Sequence, residues 1–114
     1  MEIQTINSTE GEIFNGLFLL TPKTFSDERG EFYESWNQAE FNKATNQEIK
    51  FVQDNHSFSK VGVLRGLHYQ LSPVPQGKLV RCTLGSIYDV AVDLRKSSPT
   101  FSQWIGIELN SKNK

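Results

Sequence analysis

Short runs of strand composition recur along the chain between turn signals, at residues 17–20, 31–36, 51–58, 63–71, 78–84, 87–94 and 101–109. That even spacing of β-branched and aromatic residues predicts a mainly β protein of antiparallel sheets, a sandwich or a barrel. One stretch breaks the pattern. Over 37–46, Ala39, Phe41 and Ala44 fall at helical spacing and Asn46 suits a helix C-terminus, which predicts one short helix. Gly85 and Ser86 stand between two runs as a two-residue hairpin requires, and Asp27-Glu28-Arg29-Gly30 and Ser97-Ser98-Pro99 mark further turns. The last run stops five residues before Lys114, so the sheet it joins is expected to show an open edge that wants a partner.

Period-two alternation sorts the polar residues by face. In 87–94 it sets Asp89, Ala91 and Asp93 opposite Tyr88, Val90, Val92 and Leu94. In 51–58 it sets Gln53 and Asn55 beside Phe51, where two amides next to a ring can read a base or a sugar, or simply face solvent.

A chain of 114 residues has the length of a single domain. Net charge is −1 with acids and bases interleaved, which argues against a nucleic-acid face or a membrane-surface patch and requires any anionic ligand to be held by local cations. The one cysteine, Cys82, lies in an apolar run where a buried structural thiol is expected, and burial there would disfavour the thiolate a nucleophile needs. No basic segment followed by an apolar run opens the sequence, and no apolar stretch has membrane-spanning length, so a soluble, reducing, cytoplasmic setting is expected.

The richest local chemistry is Val63-Leu64-Arg65-Gly66-Leu67-His68-Tyr69-Gln70 followed by Gln76-Gly77-Lys78-Leu79-Val80-Arg81. It sets one histidine in an aliphatic run with Arg65, Lys78 and Arg81 near it. A neutral imidazole among fixed cations can take a proton from a carbon beside a carbonyl, although a histidine on an apolar strand is also an ordinary hydrogen-bonded core residue. Arg65 and His68 are three apart and would point to opposite faces of a regular strand, so a shared site calls for a bulge at Gly66. Metal binding would need more ligands than His68 and His56, twelve residues apart, supply, and no Cys-x-x-Cys or His-x-His occurs.

Six motifs in order carry a resemblance to a known family. They are Pro22-Lys23-Thr24-Phe25-Ser26-Asp27-Glu28-Arg29-Gly30, Phe51-Val52-Gln53-Asp54-Asn55-His56-Ser57, Leu64-Arg65-Gly66-Leu67-His68-Tyr69-Gln70, Gln76-Gly77-Lys78-Leu79-Val80-Arg81, Asp89-Val90-Ala91-Val92-Asp93 and Ser97-Ser98-Pro99-Thr100-Phe101. From about Gly16 onward the chain closely resembles the dTDP-4-dehydrorhamnose 3,5-epimerases. The resemblance implies a cupin-type jelly roll, a homodimer, and rhamnose-donor synthesis on a dTDP-sugar without metal or redox cofactor. It places the general base on His68, with Arg65 and Lys78 polarising the ketone. It places nucleotide contacts on Phe25, Arg29, Glu34, Gln53 and Asn55, and a further active-site acid on Asp89.

Members of that family continue with a second half of the jelly roll that carries a tyrosine general acid, a second histidine and an aspartate orienting the base. None of Tyr33, Tyr69 and Tyr88 matches the acid position. The expectation is therefore one incomplete, C-terminally truncated cupin domain over residues 1–114, epimerising dTDP-4-keto-6-deoxyglucose. The alternatives are an inactive half-barrel that binds a dTDP-sugar or only self-associates, and a related sugar-nucleotide ketoisomerase or single-carbon epimerase.

Overall fold

A two-residue loop, Glu28-Arg29, joins the tightest hairpin of the chain. The Asp27 carboxylate accepts the Arg29 backbone N–H at 2.9 Å, and Gly30 supplies the positive φ of 130° at the exit. A computed structural model describes residues 1–114, as six strands and one helix. In chain order these are β1 (Glu2–Asn7), β2 (Ile13–Thr21), β3 (Thr24–Asp27), β4 (Gly30–Tyr33), α1 (Gln38–Thr45), β5 (Ser86–Val92) and β6 (Trp104–Asn110). The strands pair as three antiparallel two-stranded sheets, β1 with β2, β3 with β4 and β5 with β6. Two compact units result, one comprising Met1–Gln47 with Arg81–Lys114 and the other Glu48–Val80. All the strands and the helix lie in the first.

The helix forms where expected, and both ends are closed by asparagine. Asn37 accepts the Ala39 and Glu40 backbone N–H groups at 3.0 and 3.2 Å, satisfying donors that the first turn leaves unpaired. Asn46 takes the left-handed conformation at φ 53° and stops the helix. Phe41, buried from the middle of the helix, meets Trp36 with ring centroids 5.1 Å apart, and α1 packs on β1. Phe14 of β2 and Cys82 complete the buried apolar set of this unit.

Strand β1 was not anticipated, because Ile3 and Ile6 are three apart and fit no alternation. The pairing register slips between Thr5 and Asn7, and that irregularity lets both isoleucines sit less exposed than their neighbours. Strand β2 likewise starts at Ile13, four residues ahead of the apolar run at 17–20.

The loop between β5 and β6 is tied by a buried carboxylate. Asp93 accepts the Arg95 backbone N–H, Arg95 Nε and Nη2 at 2.9 and 2.8 Å, and the Thr100 hydroxyl at 2.7 Å. Its main chain is fixed too, donating to the Gln103 carbonyl and accepting from the Ser102 N–H. Gln103 receives the Ser8 hydroxyl, so the same loop holds the β1–β2 turn.

Three expected strands are not formed. Residues 51–58, 63–71 and 78–84 carry no ladder, and the Gly85-Ser86 hairpin that would have joined 78–84 to β5 is absent. Gly85 keeps a positive φ of 76°, but its carbonyl instead accepts Ser111 N–H beyond the end of β6. Strand composition describes side chains that suit a pleated surface, whereas a strand also needs a second backbone for its N–H and C=O groups. Within 48–80 the backbone closes turns, Val63 onto Lys60 and Val74 onto Leu71. The apolar side chains Val52, Phe58, Leu64, Leu67 and Leu71 stand exposed.

Candidate functional site

The β3–β4 hairpin gathers three of the anticipated ligand contacts. Asp27 pairs with Gly30, and counting back along both strands brings Phe25 directly opposite Phe32. Neither ring is covered, at 56% and 72% exposure, so an aromatic pair stands open to a flat partner. One cavity of about 320 Å³ is bounded by Phe25, Phe32 and Glu34 with Met1, Pro22 and Lys23. A second, of about 530 Å³, is bounded by Phe25, Ser26, Asp27, Arg29, Gly30, Glu31 and Phe32. Phe25 thus borders both, with Glu34 on one side and Arg29 on the other.

Charge at the hairpin is organised by two cations. The Arg29 guanidinium reaches the Asp27 carboxylate through Nη2 at 2.5 Å and through Nε at 3.1 Å. Arg29 holds the Asp27 carboxyl below the usual carboxylate range, and Asp27 in turn raises Arg29. The pairing aims the guanidinium without burying it, since the Arg29 side chain remains 84% exposed. Lys23 lies with Nζ 5.1 Å from the centre of the Phe25 ring, a cation over a π face. Neither Lys23 nor Phe32 was singled out from the sequence. Phe32 was legible there, because a two-residue turn at Glu28-Arg29 fixes Phe25 opposite it.

Within Glu48–Val80, the anticipated residues form two small groups. Gln53 donates through Nε2 to Asn55 Oδ1 at 3.2 Å, which orients the two amides together. Arg65 donates through Nε to the Ser59 hydroxyl at 3.0 Å. The bulge expected at Gly66 is not there, because no ladder runs through it. Gly66 matters for another reason. It has φ 116°, a conformation that L side chains rarely adopt, and the imidazole lies beside it, with His68 Nδ1 in ordinary contact range at 3.4 Å of where a Cβ would stand. Lys78 is exposed, and Gly77 before it approaches Ile49, whose Cγ2 would be 3.9 Å from an added Cβ.

Asp89 sits on β5 opposite Ile107, and it is exposed. Alternation paired it with Asp93, yet the two have different fates. Asp93 falls past the end of β5, is buried, and is drawn far below the usual carboxylate range by the Arg95 guanidinium. It is a structural anchor. Cys82 is buried as expected, with its thiol donating to the Leu84 carbonyl at 3.2 Å. No group of three or more His, Cys, Asp and Glu side chains is arranged to hold a metal ion, and no helix is long and apolar enough to cross a membrane.

Comparison with known proteins gives a single result. The sequence profile of the family described as dTDP-4-dehydrorhamnose 3,5-epimerase matches residues 12–114. The dTDP-4-dehydrorhamnose 3,5-epimerase of Shigella flexneri is 59% identical over 98 residues, covering 86% of this chain and 54% of that protein. The dTDP-6-deoxy-D-glucose-3,5-epimerase of Legionella pneumophila, solved in complex with dTDP-4-keto-L-rhamnose, superposes at TM-score 0.85 with 46% identity over 99% of this chain and 57% of that one. The Bacillus anthracis dTDP-4-dehydrorhamnose 3,5-epimerase, solved with TDP and PPi bound, superposes at TM-score 0.86 with 43% identity over 98% and 62%. The chain spans about half the length of the curated relatives it matches. These neighbours are cupin-type jelly rolls, and the antiparallel strands and short helix of this chain follow the same architecture.

Proposed function

The chain belongs to the dTDP-4-dehydrorhamnose 3,5-epimerase family, and on that premise we propose that it carries the general base and the nucleotide contacts for epimerising dTDP-4-keto-6-deoxyglucose. The observation that carries the reading is the exposed Phe25–Phe32 pair with Arg29 at its edge. A flat ring can stack on an aromatic face, and an exposed arginine fork can take two oxygens of a diphosphate. Glu34, Gln53 and Asn55 supply further polar contacts in this reading.

His68 is the proposed base. It takes the proton from a carbon flanking the ketone, the C–H electrons pass into the carbonyl, and the oxygen becomes an enolate. Arg65 and Lys78 offset that charge, which preorganised cations can stabilise by several kcal/mol where water is excluded. Asp89 is the further acidic group. Return of a proton from the opposite face inverts the centre with no net oxidation. We further propose that residues 1–114 belong to a single cupin domain of which they form part, that the protein pairs as a homodimer, and that it works in the cytoplasm.

Incubation with dTDP-4-keto-6-deoxyglucose followed by NMR of the sugar tests the reading. Inversion at both carbons flanking the ketone, abolished by His68→Asn, is the expected result. Inversion at one carbon would identify a single-carbon epimerase, and a migrated ketone would identify a ketoisomerase. No conversion would overturn the proposed activity for this chain.

A further inference from the structure

The short connection from β4 to α1 ends on a side chain that serves both elements. Asn37 Oδ1 accepts the Ala39 and Glu40 N–H groups at 3.0 and 3.2 Å, and the Asn37 carbonyl accepts the Phe41 N–H at 2.9 Å. The amide cannot be reversed, because Nδ2 would then meet two N–H donors. Capping therefore leaves Nδ2 as the spare donor, and it donates to Glu34 Oε2 at 3.2 Å. The helix that aims it is itself fixed, with Phe41 buried and α1 packed on β1.

Glu34 stands two residues beyond Phe32 and so continues the hairpin face that carries Phe25 and Phe32, and these three side chains bound one cavity with Lys23. Glu34 is exposed, and an untethered glutamate would lose rotamer freedom each time a ligand fixed it. Asn37 removes part of that freedom beforehand. It engages Oε2 and leaves Oε1 for an N–H or O–H of the ligand. We propose that Asn37 is a positioning residue for the nucleotide site, one that turns the cap of α1 into an anchor for the Glu34 carboxylate. The inference rests on the reading of this hairpin as a nucleotide site and adds to it the residue that preorganises Glu34. Asn37 touches no ligand in this role and acts through Glu34.

A double-mutant cycle read by calorimetry with TDP separates this role from capping. Asn37→Ser keeps a capping oxygen but removes the amide donor, so the helix persists while Glu34 is released. It is expected to weaken TDP about two- to fivefold, the worth of one exposed hydrogen bond, with an unchanged far-ultraviolet circular dichroism spectrum. Asn37→Asp also caps, sets a second carboxylate against Glu34, and should weaken TDP further; it carries the same cycle should the serine variant lose helix signal. Glu34→Ala weakens TDP by itself, and in that background neither change at Asn37 should add a further loss. An equal loss with and without Glu34 would overturn the inference, because the effect would then run through the helix. Wild-type affinity in both Asn37 variants, or in Glu34→Ala, would overturn the inference alone. No heat from the wild-type chain would overturn the nucleotide reading together with it.

Discussion

Phe25 and Phe32 face each other across β3 and β4, and both rings remain open to solvent. Folding normally covers such a pair, since burying an aromatic side chain contributes about 1.5–3 kcal/mol. Here the loop Glu28-Arg29 is too short to cover them, and β3 has a partner only in β4. The pair is thus available to a ligand, and Phe25→Ala is expected to weaken TDP about fivefold or more, because a stacked base is worth about 1–3 kcal/mol. Calorimetry checks this, with an unchanged far-ultraviolet circular dichroism spectrum showing that the hairpin and helix persist.

Arg29→Ala removes the exposed fork and releases Asp27. Loss of a charge-assisted contact and gain of a free carboxylate act in the same direction. The expected outcome is a tenfold or greater loss of TDP affinity, on the order of 1.5–3 kcal/mol for a hydrogen bond to a charged group. The deficit should shrink for thymidine, which carries no phosphate.

Gly66→Ala tests the seat of the imidazole. The backbone there has φ 116°, which an L side chain adopts only under strain of about 1–3 kcal/mol, and relief of that strain would shift the backbone that seats His68, whose Nδ1 lies 3.4 Å from the new methyl. The expectation is a rate loss greater than the loss of TDP affinity, since the nucleotide contacts on β3–β4 are unaffected. Equal losses in both would show that the change acts through folding and not through the base.

Asp93 gives the pH dependence of stability. Its carboxyl is depressed in the folded chain relative to the ordinary value of 3.8, chiefly by the Arg95 guanidinium. The unfolded chain then binds the proton more readily, so folding stability rises with pH across this titration. The contribution is complete above the ordinary carboxylate range and is lost progressively as pH falls below about 4. Asp93→Asn should flatten that acid limb in urea unfolding. It should also cost roughly 1.5–3 kcal/mol at neutral pH by weakening the charge-assisted hydrogen bonds from Arg95 and Thr100.

Where both ends of an element are written in side chains, the sequence was sufficient. Asn46 ends α1, and Asp27 with Gly30 closes the β3–β4 turn, so the helix and that turn were legible with no knowledge of their surroundings, whereas β3 over Thr24–Asp27 was not among the expected runs. The runs at 51–58, 63–71 and 78–84 have equally good strand composition, but they form no strands, and strand pairing is not written in a single segment. β1 was hidden for the opposite reason, since the slip between Thr5 and Asn7 erases the alternation that betrays a strand. At the candidate site, residue identities were legible through their motifs. The contact between Lys114 and Glu31 was not, because 83 residues separate them in the sequence.

The most direct measurement is solvent deuterium entering dTDP-4-keto-6-deoxyglucose in the presence of the folded chain, followed by NMR. A working base at His68 predicts exchange at carbons flanking the ketone well above that of a His68→Asn control, even where inversion does not follow. Exchange no faster than the control, from a sample that binds TDP, would contradict His68 as the base.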